Sequence, residues 1–344
     1  MVKTLTLFEI PMSETPKQDR PLLTVIVPCY NEEEVLQLTH NTILETLGEK
    51  QEFSLELIYV DDGSLDQTGH LLEKFYKEST NCKAIYLARN FGHQKAVTAG
   101  LNFASGDMVA VLDADLQDPP HVVLEMIDRW NEGYKVVYGV RKNRKEGMIK
   151  RLCYRFFYRA LKFLANIDIP LDSGDFCLID REVVVIMNAM PERVRFIRGL
   201  RAWVGFSQVA VPYERTPRAA GVTKYSFREL VALAFDGVVN FSVAPLTGIL
   251  VIGFCVSGLT IVATLMLLLN YIFDVTTFGP PPGALPGYTS LMLTNLLLGG
   301  LNFSMLGIIG LYIGRIYEEV KGRPQYIVSR TLGIVSPSEA SKQR

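Results

Sequence analysis

Two aspartates one residue apart, in Asp113-Ala114-Asp115-Leu116-Gln117, follow directly on the apolar run Met108-Val109-Ala110-Val111-Leu112. Residues two apart in extended backbone share a face, so both carboxylates are presented to the same side. Hard oxygen ligands of this kind suit Mg²⁺ or Mn²⁺ bridging to a diphosphate. An unbroken apolar run reads as a strand of a parallel sheet buried on both faces, and open α/β sheets bind ligands where their strands end. Metal-assisted chemistry at a phosphate is what these residues could perform; a solvated acidic loop is the plainer alternative.

The elements that must position the pair follow from periodicity. Strand-like runs at 22–27, 55–60, 84–88, 108–112 and 136–138 alternate with helical patterns at 32–47, 68–78, 94–104 and 121–131. Strands alternating with helices predict an α/β fold, a mostly parallel, Rossmann-like sheet covered on both faces. Polar loops follow four successive strands: Pro28-Cys29-Tyr30-Asn31-Glu32, Asp61-Asp62-Gly63-Ser64, Arg89-Asn90-Phe91-Gly92 and the aspartate pair. Each alone would pass for a turn or a helix cap, but together they project at one sheet edge. No G-x-G-x-x-G follows the first strand and no Walker lysine loop is present, which argues against a dinucleotide-dependent dehydrogenase.

The 344 residues carry a formal net charge of −1, so nucleic acid is not an expected partner. Five scattered cysteines without a C-x-x-C pair suggest neither a disulfide framework nor a zinc site. The mean hydropathy of +0.19 is high for a soluble enzyme, and the apolar residues concentrate in the last third. Residues 244–272 and 289–314 each exceed the roughly 20 residues that span a bilayer as a helix. Between them, 273–288 is rich in Pro and Gly and reads as an external loop. Arg215, Arg218, Lys224 and Arg228 precede the first span and Arg315, Lys321, Arg323 and Arg330 follow the second, whereas the loop carries only Asp274. Basic flanks stay inside, so both termini are expected in the cytoplasm of a multi-pass protein of the cell membrane. The start shows no basic n-region with an apolar h-region.

The expected division is therefore an N-terminal extension 1–20, a cytoplasmic catalytic domain 21–225, a juxtamembrane helix 226–243, the two spans with their loop, and a cytoplasmic tail 315–344. Within the domain, 148–165 places Arg151, Arg155, Arg159 and Lys162 on one helical stripe beside Leu152, Phe156 and Leu161. A basic amphipathic helix of this kind can lie against membrane lipids. Glycines 248, 253, 299, 300, 307, 310 and 314 permit close helix approach, and two spans bury little surface alone, so a homo-oligomer is expected.

The four loops, with Leu65-Asp66-Gln67-Thr68, His93-Gln94-Lys95 and Asp118-Pro119-Pro120 completing them, resemble the family-2 GT-A glycosyltransferases, specifically those acting on polyisoprenyl phosphates. The resemblance implies that Pro28, Tyr30 and Glu32 hold the base and ribose of a nucleotide sugar, with Val60 and Asp62 around the base and Ala114 also at the donor. It implies that Asp113, Asp115 and Gln117 surround the cation, Asp115 serving catalysis through it, and that Arg141 reaches the diphosphate. Arg218-Ala219-Ala220-Gly221-Val222-Thr223-Lys224-Tyr225 looks like the family's R-x-x-G-x-[ST]-K-Y segment, which puts Arg218 and Lys224 over phosphates.

The implied acceptor, a polyprenyl phosphate such as undecaprenyl phosphate, has a second pKa near ~6 and is largely dianionic at neutral pH, so it can attack with little help from a base. If a base exists, the family's S-G segment points to Asp175 first and Asp172 second, though both could simply turn the chain before a strand at 176–179. Arg198 and Arg201 stand where processive synthases of this fold carry Q-x-x-R-W, which argues for a single transfer. They could anchor the lipid phosphate or equally form structural ion pairs. The resemblance thus implies an inverting transfer of one hexose, glucose from UDP-glucose, to polyprenyl phosphate at the cytoplasmic membrane face. Mannose or aminoarabinose as the sugar, and a non-catalytic membrane scaffold or lipid carrier, are the alternatives.

Overall fold

In the computed structural model the described residues are 20–142, 173–193, 195–215, 246–249, 251–256, 258–259, 262 and 287–334. The expected interface helix 148–165, the juxtamembrane helix 226–243, most of the first span and all but the end of the loop after it lie outside them, as do Asp172, Arg218 and Lys224.

Strand β1 (Leu22–Cys29) is followed by α1 (Leu36–Ile43) and a π-helical turn (Leu44–Gly48), then β2 (Ser54–Asp61), α2 (Thr68–Glu78), β3 (Cys82–Leu87), α3 (His93–Phe103), β4 (Met108–Val111), α4 (His121–Asn131) and β5 (Val136–Lys142). These match the expected elements within a few residues. After them come β6 (Ser173–Asp180), α5 (Arg181–Ala189), α6 (Ile197–Trp203), β7 (Gln208–Glu214), the long helix α7 (Gly287–Val320) and β8 (Val328–Leu332).

The eight strands form one sheet in the order β7-β5-β6-β4-β1-β2-β3-β8. The β3-β2-β1-β4 centre is parallel, whereas β6 runs antiparallel between β4 and β5 and β8 runs antiparallel on β3. Alternation along the central strands divides them between two cores. Leu23, Val25, Val27, Leu57 and Tyr59 face one, and Ile26, Ile58, Val60, Val109 and Val111 face the other. Burial on both faces is why these strands read as continuous apolar runs. Each fully buried Val, Leu or Ile contributes about 1.5–3 kcal/mol from water exclusion.

Helix α3 seats on β1 through Gly100, where an added Cβ would meet Ile26 Cγ2 at 2.3 Å. Ile26 is fully buried at the sheet centre and has no room to yield. Gly100→Ala should therefore cost about 1–3 kcal/mol of stability; chemical unfolding of the purified protein checks this, and an unchanged midpoint would contradict it.

Among the described residues one helix is long and apolar enough to cross a membrane, within Leu298–Val320 of α7. Its Phe303, Leu306, Ile313 and Ile316 are exposed. Residues 246–249 and 251–256 of the other expected span are helical. The stretch after α7, expected as a tail, instead returns to the sheet as β8, so the sheet draws on residues far beyond the boundary expected at 225. Its pairing with β3 spans more than 240 residues of sequence, which local pattern cannot reveal.

Candidate active site

The strand order reverses at β1 and β4, and in doubly wound sheets the crevice beyond the strand ends at that point is where ligands bind. The loops leaving β1 and β2 are tied together there. Asn31, at φ 53°, donates its N–H to Ser64 Oγ at 3.0 Å and accepts from Leu65 N–H at 2.9 Å, while Glu32 N–H donates to Thr68 Oγ1 at 2.9 Å. The loop leaving β3 is tied to the second by buried Asp62, whose carboxylate accepts from Phe91 N–H at 2.7 Å and Gly92 N–H at 2.8 Å. Burial pushes the Asp62 carboxyl up, partly offset by these two N–H groups. Between the loops lies a cleft of about 540 Å³ whose walls include Tyr30, Asp61, Ser64, His70, Arg89 and Arg330.

Beyond β4, the backbone turns at Leu116, whose φ of 56° is costly for a branched residue, on the order of 1–3 kcal/mol. The turn lets Gln117 N–H donate to Asp115 Oδ1 at 3.1 Å, and the Thr39 hydroxyl donates to the Ala114 carbonyl at 2.6 Å. Because β6 is antiparallel, its first residues arrive at the same edge: Val111 pairs with Cys177, so Asp175 lies beyond it, toward Asp113. The start of α3 supplies His93, whose Nε2 is 3.7 Å from Asp113 Oδ1 and 3.6 Å from Asp175 Oδ2. Arg198 of α6 grips Asp175 with two donors, Nε at 2.9 Å and Nη2 at 3.1 Å, and Gln94 Nε2 donates to it at 3.0 Å.

The charges of this edge are coupled. Burial opposes ionisation of Asp175, but Arg198 and then His93 outweigh it and hold the carboxyl well below the usual range. Burial likewise works against the His93 cation, and Asp175 and Asp113 overcome it, raising His93 to about 9. Asp113 is pushed up to about 6 by burial, against His93 and with Asp118, Asp175 and Asp115, although a third of its side chain remains exposed. Buried Asp118 receives the Tyr213 hydroxyl, which in turn accepts from Arg141 Nε at 3.2 Å, and Arg141 Nη2 stands 3.9 Å from Asp118.

Of the residues expected at the donor, Tyr30 lines the cleft, Pro28 and Val60 are buried in their strands, Asp62 is committed to the loop, and Glu32 sits half-buried at the tied turn. Asp113, Ala114, Asp115 and Gln117 share one turn, with Arg141 reached through Asp118 and Tyr213. Arg201, only 1% exposed, lies beneath the edge, its guanidinium 5.3 Å over the Tyr138 ring and its Nη2 3.5 Å from the Gly174 carbonyl. It therefore braces the start of β6 from inside. Sequence reasoning assigned no role to His93, Gln94, Asp118, Asp61 or Arg89, although all lie in the quoted strand-end motifs; Tyr213 carried no local signal at all.

Among the described residues no three His, Cys, Asp or Glu side chains form a metal cage. Mg²⁺ commonly takes only one or two carboxylates and completes its sphere with substrate phosphates and water. Asp113 and Asp115 fit that mode: they share one turn, and Asp113, pushed up by burial and by the neighbouring carboxylates of Asp118, Asp175 and Asp115, stands where a divalent cation would offset crowded negative charge.

A sheet of this order with acidic and polar loops converging at its switch point defines a doubly wound α/β domain with a ligand crevice at that point. Residues 24–185 match Glycosyl transferase family 2. The uncharacterized glycosyltransferase YkcC of Bacillus subtilis is 43% identical over 312 residues, covering 90% of this chain and 94% of that protein. The bactoprenol glucosyl transferase of Shigella phage SfII is 35% identical over 310 residues, covering 90% and 98%. Among solved structures, glucosyl-3-phosphoglycerate synthase of Mycobacterium tuberculosis in complex with uridine diphosphate aligns with a TM-score of 0.42 at 19% identity, covering 64% of this chain and 79% of that one. The chain belongs to glycosyl transferase family 2, with relatives along nearly its whole length among the polyprenyl-phosphate glycosyltransferases, and is a glycosyltransferase.

Proposed function

We propose that the protein transfers one hexose, glucose from UDP-glucose, with inversion to a polyprenyl phosphate such as undecaprenyl phosphate at the cytoplasmic face of the membrane. The observation that carries this reading is the Asp113–Asp115 turn at the switch point, beside a nucleoside-sized cleft, in a chain that also bears an exposed apolar helix of spanning length. Full-length similarity to bactoprenol glucosyl transferases supports the acceptor and the sugar.

Tyr30, Asp61 and Arg89 would hold the nucleoside, with Pro28, Val60 and Asp62 shaping that wall from within. Asp113 and Asp115, with Gln117, would hold Mg²⁺ or Mn²⁺, which when bound offsets the charge of the departing diphosphate. Arg141, with Arg218 and Lys224, would screen donor and acceptor phosphates. The lipid phosphate oxygen forms a bond to the anomeric carbon as the carbon–oxygen bond to the diphosphate breaks, and the nucleoside diphosphate leaves with the electron pair. Attack from the opposite face inverts the centre. A dianionic phosphate needs no proton removed, so Asp175, both of whose oxygens are engaged, orients His93 and Arg198 toward the edge rather than acting as base. Arg198 is then the nearer candidate for the acceptor phosphate and Arg201 its structural support. Two spans and a homo-oligomeric assembly complete the reading.

The test is a donor panel. Purified full-length protein in lipid nanodiscs, with Mn²⁺ and undecaprenyl phosphate, is offered radiolabelled UDP-glucose, UDP-galactose, UDP-N-acetylglucosamine, GDP-mannose and UDP-aminoarabinose. Labelled β-linked glucosyl lipid from UDP-glucose is expected. Transfer from another donor alone would reassign the sugar, and no labelled lipid from any donor would sink the proposal.

A further inference from the structure

We propose that the segment following the membrane-length helix forms one wall of the nucleoside cleft, and that Arg330 on it is a donor-positioning residue. Residues 328–332 lie outside the part of the chain that matches the glycosyltransferase family, 24–185.

Strand β8 adds to the outer edge of β3, with Arg330 opposite Tyr86 and Val328 opposite Leu87. The pairing is extended by Ala88 N–H donating to the Ile327 carbonyl at 2.9 Å and by Ser329 Oγ donating to the Tyr86 carbonyl at 3.0 Å. Arg330 lays its guanidinium 3.9 Å over the Tyr86 ring and sets Nη2 2.6 Å from Glu73 Oε1. The Tyr86 hydroxyl donates to the Gly69 carbonyl at 3.1 Å, so the plate under the guanidinium is itself fixed.

Ser329 and Arg330 line the cleft together with Tyr30, Asp61 and Arg89, whereas Asp113 and Asp115 do not. They therefore stand at the nucleoside half of the site, away from the diphosphate. Half of the Arg330 side chain is exposed there. A planar guanidinium held flat by a carboxylate and a ring offers a nucleobase both a stacking surface and spare N–H donors.

The wall is tethered to the apolar helix. Between Val320, where α7 ends, and Val328, Gln325 Nε2 donates to the Glu192 carbonyl at 2.8 Å and the Tyr326 hydroxyl accepts from Asn102 Nδ2 at 2.7 Å. Glu319, in the last turn of α7, accepts from Arg193 N–H at 3.0 Å. Donor binding is thereby linked to the docking of a segment whose other end is the membrane helix.

This inference rests on the donor being a nucleoside diphosphate sugar, and the test separates the two. Full-length wild type, Arg330→Ala, Arg330→Lys and the charge exchange Glu73→Arg with Arg330→Glu are titrated with UDP by calorimetry and assayed for transfer at varied donor and varied lipid. Arg330→Ala is expected to raise the UDP Kd and the donor KM about tenfold, the equivalent of ~1.4 kcal/mol, with lipid KM and kcat at saturating donor unchanged. Arg330→Lys, which keeps the charge but not the plane, should fall in between. The exchange should recover thermal stability without recovering UDP affinity. If wild type binds UDP and Arg330→Ala binds it equally well, or if the exchange restores affinity along with stability, β8 is only a structural clasp and the proposal is overturned. If wild type, titrated with GDP in the same way, binds neither UDP nor GDP, the donor reading fails and takes this inference with it.

Discussion

Asp115→Ala should reduce the proposed glucosyl transfer to polyprenyl phosphate by roughly 10²–10³-fold, the usual loss when one preorganised charge-stabilising group is removed from a reaction centre. The carboxylate is buried on a turn where Leu116 adopts a costly φ, so the chain spends stability to aim it. It also receives Gln117 N–H, and alanine removes both that clasp and the charge. Asp115→Asn separates the two, since its amide oxygen still accepts the N–H. Loss of turnover in both variants, with unfolding midpoints near wild type, assigns the effect to charge; near-normal activity in Asp115→Asn would contradict the metal role. Asp113→Asn should behave like Asp115→Asn.

Gly63→Ala acts on the other half of the site. Gly63 has φ of 71°, and an added Cβ would sit 2.5 Å from the Arg89 carbonyl carbon and 2.7 Å from the Asn90 nitrogen. The clash is with backbone, which cannot rotate away. Either the loop after β2 or the loop after β3 must shift, and the two are joined through Asp62. Arg89 and Asn90 then leave the cleft wall. The expected result is a UDP affinity weakened by tenfold or more, a cost of at least ~1.4 kcal/mol, together with about 1–3 kcal/mol of lost stability. Calorimetric titration with UDP and chemical unfolding read the two separately. Wild-type affinity in a folded Gly63→Ala protein would show that this loop contact does not shape the donor site.

Much of this was legible in local pattern. The strands β1 to β4 announce themselves because burial on both faces demands unbroken apolar runs, and α2 and α4 follow from apolar residues at helical spacing. The polar loops at Tyr30, Asp61, Asn90 and Asp113 are legible for the complementary reason: a buried strand that ends in charged residues must end at the surface. Asp175 was harder. Its neighbourhood reads as an ordinary turn, and only the antiparallel course of β6 carries it beside His93, whose own position depends on α3 seating over Gly100. Arg201 shows what local pattern leaves open, since an arginine in a basic motif suits a phosphate contact or a structural role equally, and only packing shows it enclosed against Gly174 and Tyr138.

The sequence by itself therefore determined the alternating α/β architecture, the family and the carboxylate pair at a strand end, because periodicity and motif spacing are properties of neighbouring residues. The tertiary structure alone decided that Asp175 would be pinned by Arg198, that Asp118 and Tyr213 would back Arg141, and that a strand from beyond the apolar helix would pair with β3 and line the cleft. Those pairings join residues from 23 to more than 240 positions apart. Their partners are chosen by strand order and direction, which emerge only when the whole sheet has assembled.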